Sequence, residues 1–87
     1  MPLKNKIMQQ ILNTRQLRQA VSRGQHEFKV MLNGGIYSRK TIRLLADGRF
    51  RILNHIDETV QKLSGRQLHT KSIIGQAMKQ GALIVSP

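Results

Sequence analysis

The chain has 87 residues, of which 15 are lysine or arginine and four are acidic, so its formal net charge is +11. This length suffices for one compact domain, residues 1–87, and is too short for two. The chain has no cysteine, which excludes disulfides and thiolate metal sites and fits a cytoplasmic protein. No apolar run is long enough to cross a bilayer, so no membrane span is expected.

Residues 3–23 predict an N-terminal helix. Their apolar residues recur at helical spacing, first on one face and then on a slightly rotated one: Leu3, Ile7, Ile11, Leu12, Leu17, Ala20 and Val21. Asn13 and Thr14 either kink this helix or cap a second one. Gly24 marks its expected end.

The next segment, residues 26–56, predicts three antiparallel strands joined by two glycine-bearing turns, 33–35 and 46–48. Apolar residues on neighbouring strands share a face only if each turn is a three-residue loop. Its last residue, a glycine in both turns, then adopts the left-handed conformation. The sequence therefore predicts an antiparallel meander with a defined register.

This register divides the side chains between two faces of the sheet, and it places Leu32 opposite Ile36 and Leu44 opposite Phe50. One face is apolar and faces the core: Phe28, Val30, Leu32, Ile36, Ile42, Leu44, Phe50 and Ile52. The other face is mostly basic: Lys29, Met31, Tyr37, Arg39, Thr41, Arg43, Arg49 and Arg51. Lys40 has the inner parity, and we expect its stem to extend outward.

The C-terminal third is less regular. Residues 57–64 fit either a helical turn or a fourth strand. Ser64 and Gln67 have the spacing of a capping box, a second apolar helical stripe ends at Gly81, and residues 82–86 fit a short docked strand. The predicted fold class is α+β, with an N-terminal helix, a three-stranded antiparallel meander that a fourth strand extends if 57–64 is extended, and a C-terminal helix.

The basic face carries two pairs of like charges, because Lys29 lies opposite Arg39 and Arg43 opposite Arg51. Like charges directly opposite each other destabilise a sheet, so we expect a bound polyanion to offset the repulsion. A two-residue turn would remove these pairs. The residues predicted to bind nucleic acid are Lys29, Tyr37, Arg39, Lys40, Arg43, Arg49 and Arg51, and Arg15, Arg18 and Lys71 are predicted to extend the surface.

Arginine guanidinium groups match phosphate oxygens in two-pronged geometry. One outward aromatic, Tyr37, is too little for a base-stacking platform. We therefore expect readout of phosphate and shape, on RNA or DNA. Two alternatives remain: the same face binds an acidic or nucleic-acid-processing protein, with Met31 and Tyr37 as apolar anchors, or its arginines only block edge aggregation.

Catalysis has little support in the sequence. The four acids form no spaced carboxylate cluster and the three histidines lack ligand spacing, so we expect no metal, no cofactor and no enzyme activity. His26 is the one candidate general base, for metal-independent cleavage of RNA.

Three family resemblances bear on this expectation. The order helix, three strands, helix resembles double-stranded-RNA-binding domains, whose basic start of the last helix is similar to Thr70-Lys71-Ser72. "GQHEFK" (24–29) and "IIGQAMKQGAL" (73–83) resemble HicA-type toxins, and this implies a ribonuclease with His26 as its catalytic residue. "FKVMLNGG" and "SRKTI" resemble short proteins of phages and other mobile elements.

Overall fold

In the computed structural model, which describes residues 9–32 and 36–86, three helices pack on one face of a five-stranded antiparallel sheet. The helices are α1 (Thr14–Ser22), α2 (Gly65–Lys71) and α3 (Ile73–Lys79). The strands are β1 (Glu27–Leu32), β2 (Ile36–Leu44), β3 (Phe50–Asn54), β4 (Val60–Leu63) and β5 (Leu83–Val85). Their spatial order is β4-β3-β2-β1-β5. The predicted α+β class is confirmed.

The first helix is shorter than the sequence predicts. Asn13 is its N-cap, and the Asn13 side chain accepts a hydrogen bond from the first helical turn. Residues 9–12 are not helical, because the Ile11 backbone N–H donates to a β5 carbonyl and the Ile11 side chain is fully buried. Tertiary pairing thus overrides helical spacing here, and the helical prediction for 9–12 was wrong. The prediction for 3–8 lies outside the described residues.

The predicted register of the meander is confirmed at both turns. The two apolar end pairs form as expected: Leu32 with Ile36, and Leu44 with Phe50. In the second turn Gly48 has a φ of +89°, the left-handed conformation that the three-residue loop requires. The predicted conformation of Gly35 lies outside the described residues.

Two further strands extend the meander on both sides. The segment that fitted either helix or strand forms β4, which pairs antiparallel with β3 after a tight turn. Glu58 lies in this turn with a φ of +61°. The predicted C-terminal strand is β5, which pairs antiparallel with the free edge of β1.

The C-terminal helical region is divided in two at Ser72. The predicted capping box of Ser64 and Gln67 begins α2. The Ser72 hydroxyl donates to a carbonyl of α2 and accepts the Gly75 N–H, so that one side chain ends α2 and caps α3. A Cβ at Gly75 would collide with the last carbonyls of α2. Gly81 follows α3 with a φ of +70°, as predicted for a helix stop.

The hydrophobic core lies between the helices and one face of the sheet, here called the inner face. Its largest fully buried side chains come from both layers: Phe28, Phe50, Ile11, Leu17, Ile42, Leu68, Ile74, Met78 and Leu83. Successive residues of a strand point to opposite sides of the sheet. The residues between the core positions therefore form the outer face, on the side of the sheet away from the helices.

Candidate nucleic-acid interface

Three cations lie side by side on the outer face. Arg43 on β2 pairs with Arg51 on β3, and Arg51 pairs in turn with Lys62 on β4. Neighbouring strands are about 4.8 Å apart, so this row, here called the basic row, spans roughly 10 Å. Within the described residues none of the three forms an ion pair. The predicted pair of Arg43 and Arg51 is present, and Lys62 extends it to a row of three cations.

The basic row opposes stability. Arg43 and Lys62 are exposed, and Arg51 between them is half-buried. Like charges directly opposite each other cost some tenths of a kcal/mol per pair, and solvent and salt screen part of this repulsion. An anion bound across the row would replace the repulsion with attraction to all three side chains.

The second predicted pair, Lys29 with Arg39, is also present in the register. Here an acid lies nearby, since a guanidinium nitrogen of Arg39 is 3.9 Å from a carboxylate oxygen of Glu27. The positive charge of this end of the outer face is therefore partly balanced. The net positive charge is concentrated at the basic row.

A hydrogen-bonded cluster holds Glu27 in place. The hydroxyl of Thr41 donates to Glu27 Oε2 at 2.9 Å, and His55 Nε2 is 2.6 Å from the same hydroxyl. Because the one hydroxyl proton points to the carboxylate, Nε2–H of His55 must donate to the hydroxyl oxygen. Thr41 is only 9% exposed although it lies on the outer face. The cluster therefore fixes the one acid among these strand cations.

Arg49 directly follows the second turn, and an acid of that turn balances its charge. Its Nε is 2.8 Å from Asp47 Oδ2, and its backbone N–H donates to Asp47 Oδ1. These hydrogen bonds, first the backbone one and then the side-chain one, lower the pKa of Asp47 below its ordinary value. Arg49 thus serves the turn and is a weaker candidate for phosphate contact than the basic row.

Lys40 does not join the outer face. It pairs with Phe28 and Asn54 on the inner face and is 5% exposed. Burial lowers the pKa of its ammonium group, and the nearby Asp57 carboxylate opposes this shift. The predicted inner parity of Lys40 is confirmed, but the expectation that its stem extends outward was wrong, because the side chain lies against the helical side and is largely buried there.

The predicted extensions also lie on the helical side. Arg15 and Arg18 belong to α1, and Lys71 is the last residue of α2. Arg18 donates to the Gly48 carbonyl at 3.0 Å, and its guanidinium lies 4.8 Å from the centre of the Phe50 ring, a cation–π contact. Arg18 therefore stabilises the fold, and none of the three extends the basic row.

Two other sequence candidates are placed as follows. Tyr37 pairs with Met31 in the outer-face register, and its side chain lies outside the described part of the chain.

His26 is half-buried, and its Nδ1–H donates to the Ile42 carbonyl at 3.0 Å. This bond gives His26 a structural role at the start of β1. Across 9–32 and 36–86, no group of three metal-binding side chains is found.

Sequence reasoning missed Lys62 and His55. Lys62 was overlooked because β4 is short and mostly exposed, so its segment fitted helix as well as strand. The signal for His55 was present, since Arg51, Leu53 and His55 continue the outward alternation of β3. The link from His55 to Glu27 depends on contacts across three strands, which local patterns do not show.

No family model matches this chain, and neither a curated protein nor a solved structure matches it. In the part of the chain that the structure describes, no helix is long and apolar enough to span a bilayer. The outer face is therefore interpreted from its own chemistry.

Proposed function

We propose that this protein binds duplex nucleic acid through the outer face of its sheet, by contacts to phosphates and to duplex shape, and without catalysis. The observation that carries the proposal is the basic row, in which Arg43, Arg51 and Lys62 lie opposite one another with no carboxylate paired to them among the described residues. Such a row opposes folding and favours a polyanion.

The chemistry of the row suits phosphate. Two of its three members are arginines, whose planar guanidinium donates two parallel hydrogen bonds to one phosphate. The net charge of +11 adds a long-range field that attracts polyanions and speeds their association. Affinity from such contacts depends strongly on salt and weakly on base sequence.

The placement of aromatic residues supports phosphate readout over base readout. Phe28 and Phe50 are buried in the core, so the outer face has no stacking platform of the kind that single-strand binders use. Tyr37 is the remaining aromatic of the chain. A duplex, whose bases are already stacked, is therefore the favoured ligand.

Glu27 makes the charge of the outer face unequal at its two ends. Its carboxylate, held by Thr41 and close to Arg39, repels phosphates at that end of the face. The basic row lies two residues further along β2, about 7 Å away. We expect a bound backbone to be centred on the basic row and to avoid the Glu27 end.

The test compares two double variants with the same change in net charge. Arg43→Glu/Arg51→Glu removes two members of the basic row, whereas Arg15→Glu/Arg66→Glu places the same charges on exposed helical positions. Fluorescence anisotropy with labelled RNA and DNA duplexes should show a loss of affinity of roughly tenfold or more for the first variant. An equal loss in both variants would show that net charge, not the outer face, controls binding.

A protein partner is the second candidate, because an apolar strip borders the basic row. Leu53 and Val60 pair on the outer face, and Val60 is 43% exposed. An acidic partner would place carboxylates on the row and apolar groups on this strip. Capture from a nuclease-treated cytoplasmic extract separates the two candidates. A specific partner that stays bound supports the second, and loss of all bound material supports nucleic acid.

A further inference from the structure

A second polar site lies on the helical side of the sheet, in a cavity of about 270 Å³ between β3, β4 and the junction of α2 and α3. Two lysines, Lys40 and Lys71, line this cavity together with Asn54 and Gln61. The isoleucines at 52, 73 and 74 form an apolar wall beside them. The cavity therefore combines positive charge, hydrogen-bond donors and apolar surface.

Lys40 is the unusual member of this group. It is 5% exposed, and its ammonium makes no hydrogen bond or ion pair within residues 9–32 and 36–86. Burial of the side chain disfavours the charged form and lowers the pKa of Lys40. The nearest compensating charge, on Asp57, is exposed, and its carboxylate accepts hydrogen bonds from Thr59. The cavity thus holds a cation that interacts with one carboxylate, of Asp57, but forms no ion pair within residues 9–32 and 36–86.

The two carboxamides have donors to spare. The Asn54 side-chain oxygen accepts the Ile56 N–H, and no acceptor is found for its NH₂ group in the described residues. For Gln61 no side-chain hydrogen bond is found in the described residues. By contrast, the Ser72 hydroxyl is already used in both directions. An oxyanion in the cavity therefore meets ammonium and amide donors together.

We propose that this cavity binds a phosphate monoester, with Lys40 and Lys71 facing the phosphate and the isoleucine wall facing its organic body. A phosphate monoester carries a charge near −2 at neutral pH, which two ammonium groups match. The volume exceeds that of a bare phosphate ion, and the apolar wall suits an attached planar or apolar group. The phosphate comes either from a free nucleotide-sized molecule or from the end of a nucleic-acid strand.

The proposal is tested by titrating adenosine 5′-monophosphate into the protein and following the side-chain NMR signals of the lysines. The Lys40 signals should shift saturably, and adenosine, which lacks the phosphate, should leave them unchanged. Lys40→Met should weaken binding roughly tenfold or more, and Lys71→Gln should weaken it less because Lys71 is exposed. The matched control is Lys79→Met, an exposed position on α3 outside the cavity.

Three outcomes would overturn the proposal: no binding, equal binding of adenosine, or equal losses in Lys40→Met and Lys79→Met. The source of the phosphate is decided with two single strands of one sequence, one with a 5′-phosphate and one with a 5′-hydroxyl. They are compared in the Arg43→Glu/Arg51→Glu background, which suppresses binding at the outer face. Tighter binding of the phosphorylated strand that depends on Lys40 identifies a strand end, and equal binding of the strands identifies a free small molecule.

Discussion

The two faces of the sheet place adjacent residues in opposite surroundings. Phe50 is fully buried beneath Arg18 of α1, whereas Arg51, the next residue, lies between the cations Arg43 and Lys62. The inner face contributes most of the burial that stabilises the fold, and the outer face holds charges that oppose it. Because a strand alternates between its faces, one short segment contributes both to the core and to an exposed charged surface.

Each face also contains a charged residue that differs from its neighbours on that face. Lys40 is a cation on the apolar inner face, and Glu27 is an acid on the basic outer face. Glu27 is compensated by Thr41 and Arg39, whereas Lys40 lies in a cavity without a paired anion among the described residues. The acid is held by direct contacts, whereas the cation interacts with the Asp57 carboxylate without forming an ion pair among the described residues.

Phe50 and Arg51 are adjacent in the chain but lie on opposite faces of the sheet. The largest expected effect on stability comes from truncating Phe50, the residue on the inner face. Phe50→Ala should lower the free energy of unfolding by about 3–5 kcal/mol, because it leaves a cavity in the core. Arg51→Ala should change it by no more than about 0.5 kcal/mol. Urea denaturation measures both values. A loss in Arg51→Ala close to that of Phe50→Ala would contradict the assignment of Arg51 to the outer face.

Replacing the buried cation should stabilise the ligand-free protein. Lys40→Met keeps most of the length of the side chain and removes its charge from a largely buried position, so at neutral pH it should raise the free energy of unfolding by roughly 1 kcal/mol. The control Lys79→Met removes an exposed charge and should have little effect. Destabilisation by Lys40→Met would show that the ammonium is well paired in the folded state.

The advantage of Lys40→Met should depend on pH. Burial lowers the pKa of Lys40 in the folded state below its ordinary value of 10.5. Between the two values the unfolded state binds more protons, so the wild type gains stability as the pH rises. The difference between Lys40→Met and wild type should therefore shrink as the pH approaches 10.5. A difference that stays constant or grows across this range would contradict the pKa shift.

The smallest expected effect is the change in the free energy of unfolding when a charge on the outer face is reversed. Arg43→Glu places an acid opposite Arg51 and turns a repulsive cross-strand pair into an attractive one. The free energy of unfolding, measured by urea denaturation, should hold or rise by about 0.2–1 kcal/mol. Unfolding of the Arg43→Glu variant would mean that Arg43 lies in the interior.

Local patterns predicted the parts of the fold that local chemistry decides. The parity of apolar residues and the two terminal turn glycines were enough to place Arg43 opposite Arg51. The capping box of Ser64 and Gln67 likewise depends on residues three apart. In each case the determining contacts lie between neighbouring strands or within one helical turn.

Long-range contacts decide the remainder, and the sequence did not show them. Residues 9–12 keep helical spacing but pair with β5 at the far end of the chain. Lys62 joined the basic row only because β4 pairs with β3. For Lys40 the parity was visible in the sequence, but the cavity around it requires the bend at Ser72 between α2 and α3.

The salt dependence of duplex binding tests the proposed role of the outer face most directly. If about four or five phosphates are contacted, the slope of log K against log salt for the wild type should be roughly −4. Arg43→Ala/Arg51→Ala should reduce the magnitude of the slope by about 2, since each lost phosphate contact removes about 1. The control Arg15→Ala/Arg66→Ala should keep the wild-type slope. Absence of binding at low salt, binding that persists unchanged at high salt, or an equal slope change in the control would contradict the account.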